Sequence, residues 1–419
     1  MSLPYLTYDF PGIGGSIKQR AEDFFVQEIP LYEPSGTGEH VYCEIQKINI
    51  PTFEAINRIG KALNISTRDI GYAGLKDAKA ITRQVLSLWG TSEQAVMNLH
   101  LPDIAVQWAA RHGNKLRLGH LKGNRFAIKV RNVNPTDVVK LRPMLDVLEK
   151  RGMPNFFGEQ RFGRRNNNDA MGACLVRGRP EELLHHLLGS PDPSLDDDEH
   201  RKARELYDQG NYEQSMKHWP RNCGMERRTL AKLMKTQKPG PAVRGIDERL
   251  RRLWVSALQS RLFNDLLVQR IETIDKLFDG DIAEKHENGA CFLVEQSAKE
   301  QPRCDAFEVS PTGPIVGHRM TLPQGQPLEM EEQVLKSHGL KLGHFKEEGR
   351  DQAKGARRSL RVKPTDTSLE GGVDHLGPYI TVAFTLPAGS FATVLMRELM
   401  KTDQLETTEP APLDSAEPE

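Results

Sequence analysis

Nothing in the sequence approaches the run of eighteen or so apolar residues that a membrane-crossing helix needs, and residues 1–20 lack the basic-then-apolar order of a secretory signal. A cytoplasmic protein with no membrane partner is the expectation. The five cysteines, Cys43, Cys174, Cys223, Cys291 and Cys304, are scattered with no Cys-x-x-Cys pair, which argues against a zinc ribbon and a disulfide framework. Free thiols are expected. The thirteen histidines show no ligand spacing, and His185-His186 reads as one helix surface, so no metal is implied. There is no glycine-rich nucleotide loop, no internal repeat and no coiled-coil pattern, and a monomer is expected. Net charge is lacking too, with 57 Lys and Arg against 57 Asp and Glu.

What is present describes a soluble globular chain: 419 residues, 38% hydrophobic and 27% charged, with room for two domains. The charge balance hides an asymmetry. The last seventeen residues hold six acids and no base, which leaves residues 1–402 with 57 bases and 51 acids. Between Arg111 and Arg131 there is no acid at all, but there are Arg111, Lys115, Arg117, Lys122, Arg125, Lys129 and Arg131. Such a stripe suits a polyanion, and a merely solvated face is the competing reading. Phe126, Ile128 and Val130 alternate with Arg125, Lys129 and Arg131, so a strand would separate an apolar face from a basic one.

One loop stands out, Gly71-Tyr72-Ala73-Gly74-Leu75-Lys76-Asp77-Ala78-Lys79. Its glycines permit a sharp turn and close approach of another molecule, and its lone carboxylate lies between two lysines. A carboxylate flanked by ammonium groups suits a nucleophile better than a general acid. A solvated turn with an ordinary surface Asp is the alternative. Alternation from Ile81 to Trp89 predicts a strand that would hold this loop still.

Elsewhere Val41, Cys43 and Ile45 predict a half-buried strand, and Thr52 is placed to cap a helix running to Leu63. A helix interrupted at Pro143 is expected to reach Lys150. Residues 152–165 interleave aromatics, glycines and arginines, which fits base stacking and phosphate pairing as well as a buried linker. Leu250, Leu253, Trp254, Ala257, Leu258, Leu262, Leu266 and Leu267 recur at three and four and predict a long buried helix, with Gln259, Ser260 and Asn264 packing polar loops. A hairpin turning at Asn288-Gly289 and a break at Pro311-Thr312-Gly313-Pro314 follow. Tyr379–Leu386 reads as a strand, and Ser390 as the cap of a final helix to Lys401.

These stretches carry a resemblance. Ala73-Gly74-Leu75-Lys76-Asp77, with Ala80, Thr82 and Gln84, resembles the signature of the TruD family of tRNA pseudouridine synthases. Four further stretches resemble motifs of that family in the same order. They are Lys18 with Glu22-Asp23-Phe24, then Lys122-Gly123-Asn124-Arg125-Phe126, then Asn155-Phe156-Phe157-Gly158-Glu159-Gln160-Arg161-Phe162-Gly163, and finally Leu386-Pro387-Ala388-Gly389-Ser390-Phe391-Ala392-Thr393. Ala78 departs from the pattern, standing where many members have lysine.

The resemblance implies an α+β fold, a pseudouridine synthase domain with a mixed, largely antiparallel sheet and flanking helices, interrupted by a family-specific α/β insertion. Residues 1–153 and 351–402 would form the catalytic domain and residues 154–350 the insertion, with tRNA between them. The acidic segment 403–419 is expected to be disordered. The activity implied is isomerisation of uridine to pseudouridine, usually uridine 13 in the D arm of tRNA, without a cofactor. Asp77 would be the nucleophile, attacking C1′ of the sugar or C6 of uracil, with Lys18 as its ion-pair partner. Phe24, Phe126 and Phe391 would surround a flipped base, and Asn124 would bond that base or brace the loop. Lys76, Lys79, Arg125, Lys129, Arg161 and Arg164 would meet the RNA backbone. A non-catalytic RNA-binding module would need no carboxylate there, a methyltransferase would need a cofactor loop, and a structural protein would need neither.

Overall fold

Eight strands, the alternating stretches among them, assemble into one mixed sheet. A computed structural model describes residues 3–345, 353–402 and 405, and the chain divides into two units, residues 1–153 with 362–419 and residues 154–361. The return to the first unit falls at Val362 rather than near 351, because Ala356–Ser359 is still a strand of the second unit's sheet. The expectation for the tail lies outside the described residues, apart from Leu405, whose carbonyl accepts from the Ile17 amide.

The first unit contains β1 (Phe24–Pro30), β2 (His40–Ile48), β3 (Ile70–Tyr72), β4 (Ile81–Trp89), β5 (Ile104–His112), β6 (Leu121–Arg131), β7 (Thr365–Asp374) and β8 (Gly377–Pro387). Their order is β7-β8-β6-β1-β4-β2-β5, with β3 also on β4. Among the described residues only β1 and β4 pair in parallel; the other ladders of this sheet are antiparallel. Register assigns the faces. Phe24 pairs with Ile128, Val26 with Phe126, and Phe126 with Phe384, so these apolar residues share one side, where all are buried. The other side takes Phe25, Gln27, Arg83, Arg125, Lys129 and Tyr379 and is only partly covered.

Three helices cover the apolar side. On α1 (Thr52–Leu63) the residues Ala55, Ile56 and Ile59 join Val41, Cys43, Ile45, Leu86 and Leu88 in one core, each large side chain worth about 1.5–3 kcal/mol of burial. Thr52 does not cap this helix; Pro51 is the N-cap, and the Thr52 hydroxyl is turned inward. Further along, α2 (Val138–Arg151) contains Pro143, as expected, and α3 (Ala392–Met400) has Phe391 rather than Ser390 at its N-cap. Glu398 of α3 is buried and accepts hydrogen bonds from the Leu6 and Thr7 amides and the Thr7 hydroxyl, so the two ends of the chain are clasped.

The second unit is built on the helix Glu248–Gln269, where Trp254, Ala257, Leu258, Leu262, Leu266 and Leu267 of the expected stripe are buried, whereas Leu250 is only half-buried and Leu253 is exposed. Asn264 accepts from the Phe157 amide and donates to its carbonyl, and Gln259 donates to the Val316 carbonyl. The Asn288-Gly289 hairpin forms, but Pro311 and Pro314 do not break the chain: Val309–Ile315 is a strand. Its ladder changes partner after Pro311, from Ile282–Lys285 to Ala356–Ser359, which accommodates residues that cannot donate.

Candidate active site

The loop between β3 and β4 is tied down almost residue by residue. The Ala73 carbonyl accepts from the Gly119 amide at 2.8 Å and the Ala80 carbonyl from the Asn49 amide at 3.2 Å. Between them, the Lys76 amide donates to Thr52 Oγ1 at 3.0 Å, and that hydroxyl in turn donates to Gln84 Oε1 at 3.0 Å. Lys47 Nζ donates to the Asp77 carbonyl at 3.0 Å. Of the two glycines only Gly71 is required by packing, since a Cβ there would stand 2.3 Å from the Leu116 carbonyl; at Gly74 a Cβ would meet only Lys76 Nζ at 3.5 Å.

On this platform the Asp77 side chain remains 45% exposed, with Lys18 Nζ 3.6 Å from its Oδ2 and the Lys18 side chain only 6% exposed. Lys18 also has φ +56°, a conformation uncommon for a side-chain-bearing residue and often found where a site fixes its backbone. Its ammonium lies 4.4 Å from the centre of the Phe24 ring. Phe24 meets Phe126 edge-on at 6.4 Å, and Phe126 stacks on Phe384 at 5.3 Å, an aromatic floor that the sequence could not separate from ordinary core. Asn124 lies one step along the same strand face, and its Oδ1 is buried with no hydrogen-bond partner among the described residues. The turn leading to Phe391 starts beside it, since Leu386 pairs with Asn124, and Phe391 is 37% exposed.

The expected backbone ligands do not all face solvent. Lys79, Arg125 and Arg164 are exposed. Lys76 is not: its side chain is 6% exposed and its ammonium sits 2.6 Å from Glu28 Oε2, because Glu28 points to the covered face of β1 and needs a cation there. Lys129 pairs with Asp374 at 3.3 Å and lies over the Tyr379 ring. Arg131, expected on the basic face, is buried between Asp23 and Asp374; their hydrogen bonds raise its pKa above the ordinary guanidinium range and hold Asp374 far below the ordinary carboxylate range. Arg161 donates to Ser256 and Ser260 of the long helix, and desolvation lowers its pKa.

Sequence reasoning missed Lys47, Glu28 and Arg83. The first two had a signal: Val41, Cys43 and Ile45 put position 47 on the apolar register, and Phe24 and Val26 do the same for position 28, so a charge at either place requires a buried partner. Burial pushes the Lys47 ammonium down to about 8, against the opposing charge of Asp77 and with help from Lys76. Burial raises the Glu28 carboxyl, and Lys76 opposes that. Arg83 lies over the Phe25 ring at 5.5 Å and donates to Gln46, on the open face, where Gln27 of β1 stands between it and Arg125. Among the described residues no helix is long and apolar enough to cross a membrane, and no group of three His, Cys, Asp or Glu side chains is placed to hold a metal ion.

A sheet with one open basic face and a clamped loop presenting an ion-paired aspartate agrees with the class of protein the motifs resemble. The family described as tRNA pseudouridine synthase D (TruD) matches residues 1–399. The chain is 45% identical to the tRNA pseudouridine synthase D of Geotalea daltonii, over 95% of this chain and 100% of that protein. It is 43% identical to the protein of the same name from Geobacter metallireducens, over 95% and 97%. The crystal structure of the putative tRNA pseudouridine synthase D (TruD) from Methanosarcina mazei superposes with a TM-score of 0.84 at 29% identity, covering 96% of this chain and 99% of that one. The chain belongs to the TruD family, and its α+β architecture is the one the motifs led us to expect.

Proposed function

We propose that this chain isomerises uridine to pseudouridine in tRNA, at uridine 13 of the D arm, with Asp77 as the nucleophile. The observation that carries the reading is the Asp77 carboxylate, open to solvent on a loop anchored at both ends and paired at 3.6 Å with the nearly buried Lys18. The isomerisation breaks the bond from N1 to C1′ and forms one from C5 to C1′, while C5 loses a proton and N1 gains one. It is redox-neutral, so a carboxylate nucleophile suffices and no electron carrier is called for. The carboxylate attacks at C1′ or C6, holding one fragment covalently while the base turns. Lys18 fixes the direction of the attacking oxygen and offsets the change in its charge.

A base inside an RNA stem cannot reach such a loop, so the uridine is flipped out. Phe24 and Phe126 offer it an apolar wall, and Phe391 lies at the rim. Uracil presents an imide N–H, and the partnerless Asn124 Oδ1 is an acceptor of the matching kind. Arg125, Lys79 and Arg83, with Phe25 and Tyr379 between the basic groups, form the surface for the RNA backbone.

Incubating the purified protein with an unmodified tRNA transcript, with no added cofactor, tests this directly. Carbon-linked uridine at one D-arm position, lost in Asp77→Asn while tRNA still binds, is the expected result. Turnover by Asp77→Asn, or product at another position, contradicts the corresponding part of the reading.

A further inference from the structure

Lys47 is 0% exposed, although ammonium groups are almost never fully buried without a purpose in their contacts. Thr82 is its partner in the β2–β4 ladder, and its Nζ donates to two carbonyls, Ile50 at 2.5 Å and Asp77 at 3.0 Å. The first belongs to the turn leaving β2 and the second to Asp77 itself. One cation thus bolts the catalytic loop to the frame of the sheet. The charged groups facing it are Asp77 and Lys76 of the loop, with Glu28 of β1 neutralising Lys76 and Lys18 pairing with Asp77. From β4 it is paired with the neutral Thr82.

We propose that Lys47 is a positioning residue for the isomerisation: its buried ammonium fixes the main chain of Asp77, and the catalytic rate depends on its staying protonated. This rests on the reading of Asp77 as the nucleophile. Hydrogen bonds from an ammonium are roughly twice as strong as neutral ones, so deprotonation slackens the tie without removing the side chain. A displacement of about 1 Å at a reacting group is enough to cost about a hundredfold in rate.

The pH dependence separates this role from simple structural support. Burial pushes the Lys47 ammonium down to about 8, so it loses its proton in mildly alkaline solution. Between that value and the ordinary lysine range of about 10.4 the unfolded chain binds more protons than the folded one, so stability contributed through Lys47 rises with pH. Rate and stability therefore move in opposite directions through the same group.

The test compares wild type, Lys47→Met and Asp77→Asn between pH 7 and pH 9, by single-turnover rate with enzyme in excess, tRNA affinity and melting temperature. For wild type the rate is expected to fall severalfold with a midpoint near 8, while its melting temperature rises relative to that of Lys47→Met. Lys47→Met is expected to react about a hundredfold more slowly at pH 7, with a flat profile and unchanged tRNA affinity. A Lys47→Met protein that melts early but reacts normally per folded molecule overturns the proposal, as does a wild-type rate that is flat over this range, which decides the matter even where the variant does not fold. Asp77→Asn separates the two layers: if it is inactive while Lys47→Met is normal, only the role of Lys47 falls; if it turns over, the nucleophile assignment falls and this proposal with it.

Discussion

The ammonium of Lys76 lies 2.6 Å from Glu28 Oε2 with both side chains shut away from solvent, one residue before the exposed Asp77. The loop thus buries one of its charges to present the next. Breaking such a pair on one side leaves an uncompensated buried charge, so Lys76→Met is expected to lose about 3–5 kcal/mol of stability at pH 7. Burial already raises the Glu28 carboxyl, and removing Lys76 takes away the main opposing influence. A carboxyl raised in the folded state contributes stability that is present below its ordinary value and lost as pH climbs through the folded one. The deficit should therefore shrink as pH falls from 7 towards 5, which urea denaturation at both pH values will show.

Lys18→Met removes the charge beside Asp77 and the cation over Phe24, but no exposed basic group. Its single-turnover rate should fall by at least tenfold while tRNA affinity changes less than twofold. Equal losses in both would make Lys18 a phosphate ligand instead.

Phe126 is packed against Phe24 and Phe384, so Phe126→Ala should lose about 3–5 kcal/mol of stability whatever its part in the reaction. Phe126→Leu separates the two contributions. It fills most of the space but offers no ring for a base, and loss of stacking worth about 1–3 kcal/mol predicts a rate about ten- to a hundredfold lower in a protein of near-normal melting temperature. A Leu variant that reacts at the normal rate makes Phe126 a core residue only.

The basic strand gives a graded prediction for salt dependence. Arg125→Ala should flatten the slope of log affinity against log salt by roughly 0.7 to 0.9, the value for one phosphate contact. Lys129→Ala should change it less, because Asp374 already offsets that charge. Arg131→Met should leave the slope unaltered and lower the melting temperature, since Arg131 is consumed in the ion pairs with Asp23 and Asp374.

Much of this was legible beforehand because period-two alternation is a strong record of a half-buried strand. Ile81–Trp89 and Arg125–Arg131 could be assigned to strands with their faces from alternation alone, and Asp77 was marked by its loop. What alternation does not record is the destination of a long side chain. Lys76 and Lys79 are three residues apart and chemically identical, yet one is sealed against Glu28 and the other faces water, a difference set by a strand fifty residues upstream. Arg131 shares the face of Arg125 and Lys129 as alternation indicates, but it is buried there for the same reason, its acids lying at Asp23 and Asp374. Thr52 looked like a helix cap because capping is local, whereas the hydroxyl is engaged by Lys76 and Gln84 through the tertiary fold.

The order of the sheet also bears on how the protein is made. Its interior strand β6 takes β8 as one neighbour, and β8 follows only after the whole second unit has been translated. At the usual 5–20 residues per second, the edge of β6 has no β8 to pair with for roughly ten to fifty seconds, and open edges of that length invite association between nascent chains. Lys122, Arg125, Lys129 and Arg131 lie along that edge, and charge of one sign repels a second copy. During synthesis the same charges that suit an RNA backbone would also set one nascent chain against another.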